Sequence, residues 1–247
     1  MIARIFFTSY WAFCYLTFLV AFVYLLGFIG NRYTFSTIDS GLQLPFREAL
    51  LIDIGLLLLF FAQHSIMARG WFKRAWRRWM PEEMERSTYV LATSLVLFFI
   101  YVKWEPMPEL VWNIQHPLLR VLLEGLFWLG WTTVIVSSLL NGHWNLMGLR
   151  QAWGGREEIA PLRTPGPYRW VRHPMMVGTL LGLWATPEMS RGHLLFAGAN
   201  LVYVLLAVRW EERDLVSTHG EEYTRYQRTV PRLCPLRWGG TRRSHAP

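Results

Sequence analysis

Cysteine and charged residues are both scarce in this sequence. The two cysteines, Cys14 and Cys234, lie far apart in the 247 residues, which excludes a small scaffold held together by disulfides. Charged residues make up 17% of the chain, against roughly 25% in an average soluble domain. Hydrophobic residues reach 53% and aromatic residues 16%, and this excludes a disordered chain, which needs low hydrophobicity and few aromatics.

The formal net charge is nevertheless +8. A nucleic-acid-binding protein carries its basic residues on a soluble domain, whereas here the segments between the basic residues are strongly apolar. The sequence has no HxxxH or HxxH pair, no cysteine pair at metal-ligand spacing and no phosphate-binding glycine loop. We therefore expect no nucleic-acid partner and no metal, and we interpret the chain as a polytopic membrane protein.

Four apolar stretches are long enough to cross a bilayer, which takes about 20 residues. The first is too long for the apolar region of a signal peptide, and no small-residue cleavage site follows it, so we expect it to be retained. The four stretches run over about residues 6–29, 49–68, 88–104 and 118–140.

Two shorter apolar stretches follow, at residues 175–186 and 194–208. Each has at most about 16 residues, so together they predict a short helical hairpin that just reaches the far side. The expected fold is therefore all-α, with about six transmembrane helices in a single domain, residues 1–247. Its four-helix part covers residues 1–141, and residues 142–247 hold a loop, the hairpin and a tail.

Loop charges predict the orientation, because cytoplasmic loops carry an excess of Lys and Arg. With a cytoplasmic N-terminus, 20 of the 25 Lys and Arg residues fall on the cytoplasmic side of this topology. Both termini are then cytoplasmic. The remaining five lie on the opposite side: Arg32, Arg47, Lys103, Arg120 and Arg191.

Polar residues from separate segments gather at the cytoplasmic face of this topology. Ionisable groups at the edge of a membrane segment indicate a functional site. Transporters often place such groups near the middle of the bilayer, so the one-sided placement disfavours transport. The groups come from five places in the chain: Gln63 and His64, Ser87 and Thr88, Asn141 to Asn145, Arg172 and His173, and Glu211 and Glu212.

The stretch from Gly166 to Pro174 is the hardest of these to explain by topology alone. Pro174 suits the first turn of a helix, and this places Arg172 and His173 at a helix N-terminus, which favours an anion. Gly178 lets a ligand approach the backbone one turn later.

Glu211 and Glu212 supply carboxylates at the same depth as Arg172 and His173. A zwitterion with an added positive centre, such as S-adenosylmethionine (SAM), fits between two such poles. An aromatic face of Tyr168, Trp170, Trp184 or Trp210 would attract a sulfonium. The residue types alone leave the identity of the ligand open.

The run RHPMMVG, followed by RWEERDL, HGEEYTRY and VPRLCP, resembles the isoprenylcysteine carboxyl methyltransferase superfamily of membrane methyltransferases. The sequence departs from that pattern at Met176, where the superfamily usually has Tyr. The stretches QHSIMAR, ERSTYVL, WNLMGLRQ and WATPEMSRGHLLFA are similar to the bacterial methanethiol S-methyltransferase branch, and the related branch of denitrification gene clusters looks similar. The matching positions are Arg172, His173, Pro174, Gly178, Glu211, Glu212, Gly220, Tyr223, Tyr226, Val230 and Pro231.

The resemblance implies an enzyme of a bacterial inner membrane that methylates methanethiol to dimethyl sulfide with SAM. An alkyl thiol is mostly protonated at neutral pH, so a base helps it to react. His64 is the first candidate for that base and His143 the second. The residues expected to contact the cofactor are Tyr168, Arg172, His173, Pro174, Gly178, Glu211 and Glu212.

Two alternatives remain at this point. The same fold could methylate a lipid amine, a prenylated cysteine or a fatty-acid-like carboxylate. The chain could also be a non-enzymatic membrane factor linked to nitrogen-oxide metabolism. In either case the bilayer is an expected partner, and the sequence indicates no obligate protein partner.

Overall fold

The computed structural model describes residues 1–155 and 162–235, and most of these are α-helical. Four of the basic residues counted above, Arg156, Arg237, Arg242 and Arg243, lie outside the described residues. In the described part the helices are α1 Ile2–Ile29, α2 Phe46–Met67, α3 Gly70–Trp76, α4 Glu85–Lys103, α5 Pro117–Leu140, α6 His143–Leu146, α7 Leu149–Ala152, α8 Pro174–Trp184, α9 Arg191–His219 and α10 Glu221–Thr229.

Five helices are long and apolar enough to cross a membrane. They are α1, α2, the helical segment Glu82–Lys103 that contains α4, α5 and α9. Large apolar side chains face outward along them: Leu51 is 70% exposed, Val121 is 67% exposed and Val202 is 59% exposed. A soluble protein rarely exposes so much continuous apolar surface. The chain is therefore an all-α integral membrane protein, and the four long predicted stretches are confirmed.

The prediction of a short hairpin is confirmed for its first arm and wrong for the length of its second. Its first arm, α8, is short, with 11 residues. Its second arm, α9, has 29 residues and continues past residue 208 to His219. No glycine or proline interrupts this extension until Gly220, which has a φ of +56° and ends the helix. As a result Glu211 and Glu212 belong to the same continuous helix as the membrane-crossing part of α9.

The two faces of the helix bundle are built differently. The N-terminal face is the one at which α1, α4 and α8 begin and α2, α5 and α9 end. At the opposite face two short strands, β1 Leu110–Asn113 and β2 Glu188–Ser190, pair antiparallel. The sequence analysis predicted no strand there. Hydrogen bonds between β1 and β2 satisfy backbone groups that the hairpin turn leaves outside a helix.

Aromatic residues fill the core toward the opposite face. The rings of Phe28 and Tyr101 lie 5.1 Å apart, and those of Trp104 and Phe196 lie 5.7 Å apart. The Tyr101 hydroxyl donates to the Ala21 carbonyl at 3.0 Å, which ties α4 to α1 inside this core. The large side chains are concentrated in this half, and the cavity described below lies toward the N-terminal face.

Glycines let α8 pack directly on the backbone of α5. A Cβ atom at Gly178 would lie 2.6 Å from the Gly130 carbonyl oxygen and 3.0 Å from the Cβ of Thr133. A Cβ at Gly182 would lie 2.8 Å from the Trp131 ring. These separations are shorter than ordinary van der Waals contacts, so the close approach of the two helices depends on the missing side chains.

We expect Gly178→Ala to lower the thermal stability of the detergent-purified protein, because the added methyl group would force α5 and α8 apart at a cost of about 1–3 kcal/mol. The matched control is Gly198→Ala on α9, where the added Cβ meets nothing within 4 Å. The control should melt at or above the wild-type temperature, since Ala is the better helix former. Equal melting temperatures for the two variants would contradict this packing.

Candidate functional site

A cavity of about 390 Å³ lies within the helix bundle, toward the N-terminal face. Its wall is formed by side chains from α1, α2, α4, α5, α6, α8, α9 and α10 and from the segments between them. The cavity brings together residues that are far apart in the sequence. Its polar wall consists of His64, Tyr89, Thr93, Ser138, Asn141, Arg163, Tyr168, Arg172, His173, Glu211, Tyr223 and Tyr226.

The cavity is charged at one end and uncharged at the other. Of the residues that line it, Arg163, Arg172 and Glu211 carry permanent charge, and they lie near the N-terminal face. Thr93 lies about 12 Å into α4, and Phe18 lies about 24 Å into α1, at 1.5 Å per residue. A ligand in the cavity therefore meets charge at the face and uncharged side chains deeper in the bundle.

Glu212 is the buried centre of the charged end. Its carboxylate is 3% exposed and accepts hydrogen bonds from the Arg172 Nε at 2.7 Å and the Arg232 Nε at 3.0 Å. The Nε2 atom of His173 lies 3.2 Å from the same carboxylate. A carboxylate this buried is stable only when it is paired and hydrogen-bonded, as it is here. Glu212 thereby holds the side chains of Arg172, His173 and Arg232 in place, but it does not itself line the cavity.

The chain that follows α10 holds the residues before α8. The Arg172 amide donates to the Pro231 carbonyl at 2.9 Å, and the His173 amide donates to the Arg232 carbonyl at 3.3 Å. The Arg172 guanidinium donates to the carbonyls of Gln227, at 3.0 Å, and of Val230. These two backbone amides are therefore used within the chain and do not face the anion expected at this helix N-terminus. The side chains of Arg172 and His173 still line the cavity.

The two adjacent glutamates have different surroundings. Glu211 is half-exposed at 48%, lines the cavity, and has its Oε2 3.5 Å from His173 Nδ1. Glu212, one residue later, points into a cation cluster formed by Arg172 and Arg232. Successive residues on a helix face different directions, so the pair separates into one carboxylate toward the ligand cavity and one toward the protein interior.

Three tyrosines form part of the wall at the charged end. Burial raises the pKa of Tyr168 to about 12, with the nearby charge of Glu211 adding to the effect, and burial raises the pKa of Tyr226 to about 12. Both hydroxyls are therefore neutral donors at neutral pH. Tyr226 donates to the Tyr168 carbonyl, which joins α10 to the loop before α8.

Tyr223 supplies a hydroxyl group that lacks a hydrogen-bond partner among the described residues. The side chain is 2% exposed and lines the cavity, and burial raises its pKa above the ordinary value. A buried hydroxyl without a partner costs free energy. A polar ligand atom in the cavity would satisfy it.

His64 lines the cavity together with Tyr89, which the sequence analysis missed as a functional residue. The Tyr89 hydroxyl lies 2.9 Å from both ring nitrogens of His64. Phe60 stacks on the imidazole ring with a centroid separation of 5.5 Å. Tyr89 and Thr93 are four residues apart in the stretch ERSTYVLAT, so they share a face of α4. This spacing is the sequence signal from which Tyr89 could have been predicted as a residue of the site.

The other predicted residues lie outside the cavity wall. His143 has its Nε2 2.9 Å from the Tyr15 hydroxyl and its Nδ1 2.8 Å from the Ser138 hydroxyl, so both ring nitrogens are used in joining α1 to α5. Burial also lowers the pKa of His143. Pro174 begins α8, and Gly178 packs against α5. The geometry therefore assigns these three residues to the framework, whereas His64, Tyr168, Arg172, His173 and Glu211 meet in the cavity.

We expect Glu212→Gln to destabilise the protein strongly, because removing one partner of a buried ion pair costs about 3–5 kcal/mol. The matched control is Glu211→Gln, which removes the charge of a half-exposed carboxylate and should leave the melting temperature within a few degrees of wild type. Thermal unfolding of both variants in detergent measures the difference. A Glu212→Gln variant as stable as the control would show that the cation cluster does not hold the site together.

Comparison with known proteins adds the family. The family model described as NnrU protein matches residues 52–233. A methanethiol S-methyltransferase from Crocosphaera subtropica is 45% identical over 239 residues, which cover 95% of this chain and 94% of the relative. One from Mycobacterium tuberculosis is 46% identical over 231 residues, which cover 92% of this chain and 94% of the relative. No solved structure gives a significant match. The chain belongs to the NnrU family and groups with the methanethiol S-methyltransferases.

Proposed function

We propose that this protein transfers the methyl group of SAM to the sulfur of methanethiol, giving dimethyl sulfide. The observation that carries the proposal is one cavity with a charged end at Arg172 and Glu211 and an uncharged inner end beside His64. The relatives named methanethiol S-methyltransferase, at 45% and 46% identity over nearly the whole chain, support the same acceptor.

The residues at the charged end fit the groups of SAM. Arg172 and Arg163 offer positive charge to a carboxylate, and Glu211 offers negative charge to an ammonium group. The Tyr223 hydroxyl, which has no hydrogen-bond partner within residues 1–155 and 162–235, offers a hydrogen bond to a polar atom of the ligand. The ring of Tyr168 in the same wall would attract a sulfonium by a cation–π contact.

The protein contributes to the reaction mainly by alignment and by proton removal. When bound, SAM supplies a methyl group on a positively charged sulfur, which the acceptor sulfur takes in one in-line displacement. His64 accepts the thiol proton on one ring nitrogen, and the Tyr89 hydroxyl holds the imidazole in place. The apolar wall excludes water from the acceptor sulfur, which keeps the thiolate reactive and aligned.

The site faces the cytoplasm in this proposal. The cavity lies toward the N-terminal face, which is the face that receives 20 of the 25 Lys and Arg residues in the predicted topology. SAM would then reach the cavity from the cytoplasm of a bacterial cell, and the protein would lie in the inner membrane with both termini on the cytoplasmic side.

The direct test is headspace gas chromatography after purified protein receives SAM and methanethiol. We expect dimethyl sulfide to form in proportion to protein and time, with S-adenosylhomocysteine as the second product. Parallel reactions with a prenylcysteine and with a fatty acid test the other acceptors. Methylation of either of these with no dimethyl sulfide formed would overturn the proposed acceptor but keep the methyl donor.

We expect His64→Ala to lose most turnover of methanethiol, by about 10²–10⁴-fold, because general base catalysis contributes that much. Binding of S-adenosylhomocysteine should persist, and part of the turnover should return at high pH, where the thiol ionises without a base. The control is His116→Ala, at the exposed start of α5 on the opposite face. Wild-type turnover by His64→Ala would exclude His64 as the base.

A further inference from the structure

We infer that Phe18 sets the length of the alkyl group that the acceptor site takes, and that this site admits only short, uncharged thiols. The inference rests on the proposed function, because it describes the acceptor end of the same cavity. It assigns a role to α1, which neither the sequence motifs nor the cation cluster involves.

The inner end of the cavity offers no partner for a charged acceptor. Phe18 from α1 and Val90 and Thr93 from α4 all line the cavity there, and Val90 is 5% exposed. The charged side chains of the lining lie at the other end of the cavity. A carboxylate or ammonium group on the acceptor would enter this end without a counter-ion, at a large desolvation cost. Cysteine and other amino-acid thiols are therefore poor acceptors.

Phe18 is the largest of these three side chains, and its ring is held from both sides. Its ring stacks on that of Tyr15, with centroids 6.2 Å apart and planes 27° apart, and on that of Phe22, at 5.9 Å and 25°. Phe22 in turn contacts the ring of Trp131 on α5 edge to face, at 5.8 Å.

The Tyr15 hydroxyl is also fixed, 2.9 Å from the Nε2 of His143. The Phe18 ring therefore belongs to a column of aromatic rings anchored on α1 and α5. A longer acceptor cannot push the ring aside without disturbing the whole column. A fixed aromatic wall excludes additional methylene groups more effectively than a flexible side chain, such as that of Met175 or Met176, does.

The test compares methanethiol, ethanethiol, propanethiol and butanethiol as acceptors at saturating SAM. Headspace chromatography quantifies the methyl alkyl sulfide that each thiol gives, and the rates of its formation yield kcat/KM for each thiol. We expect Phe18→Ala to raise the butanethiol-to-methanethiol ratio by about tenfold or more, the range that one or more methylenes contribute in an apolar pocket. Phe18→Leu, which keeps most of the apolar volume, should shift the ratio in the same direction but less.

The matched control is Phe13→Ala on the same helix, where the side chain is 59% exposed on the outer surface. It should keep the wild-type ratio. An unchanged ratio in Phe18→Leu and in folded Phe18→Ala would overturn the inference, and so would an equal change in Phe13→Ala. Efficient methylation of cysteine by the wild type would overturn the restriction to uncharged thiols. A wild type that produces no dimethyl sulfide would overturn the proposed function instead.

Discussion

The buried carboxylate of Glu212 is the interaction on which the rest of the site depends. It draws Arg172 and His173, at the start of α8, and Arg232, after α10, to one point on α9. Because these segments come from three places in the last third of the chain, the carboxylate determines where the charged end of the cavity forms. The neighbouring Glu211 is then free to face the cavity. Of the two adjacent glutamates, Glu212 therefore stabilises the site and Glu211 faces the ligand cavity.

The cavity combines two environments that a thiol methyltransferase needs. Its outer end carries the charges that recognise an amino-acid-like group, and its inner end is uncharged and walled by fixed aromatic rings. His64 and Tyr89 stand between helices α2 and α4, in contact with each other and with the cavity. A small apolar thiol and a charged methyl donor can therefore occupy one cavity without competing for the same contacts.

The membrane-spanning stretches could be predicted from the sequence because their signal is local: about twenty apolar residues with few charges. The length of α9 could not, since residues 209–219 are mostly polar and their helix is set by the contacts of Glu212 and the absence of a breaker before Gly220. The motif predicted that both glutamates meet a ligand, but their division into buried and lining residues depends on the rotation of α9. The role of His143 could not be predicted from the sequence either, because its two hydroxyl partners come from separate helices, α1 and α5.

The central claim is that the charged end of this cavity binds the methyl donor. Isothermal calorimetry with S-adenosylhomocysteine on the detergent-purified protein tests it most directly, because the measurement needs neither an acceptor nor turnover. We expect one site per chain in the wild type and at least tenfold weaker binding in Glu211→Gln, which keeps the fold but removes the carboxylate that faces the cavity. No binding by the wild type, or unchanged binding by Glu211→Gln, would contradict it.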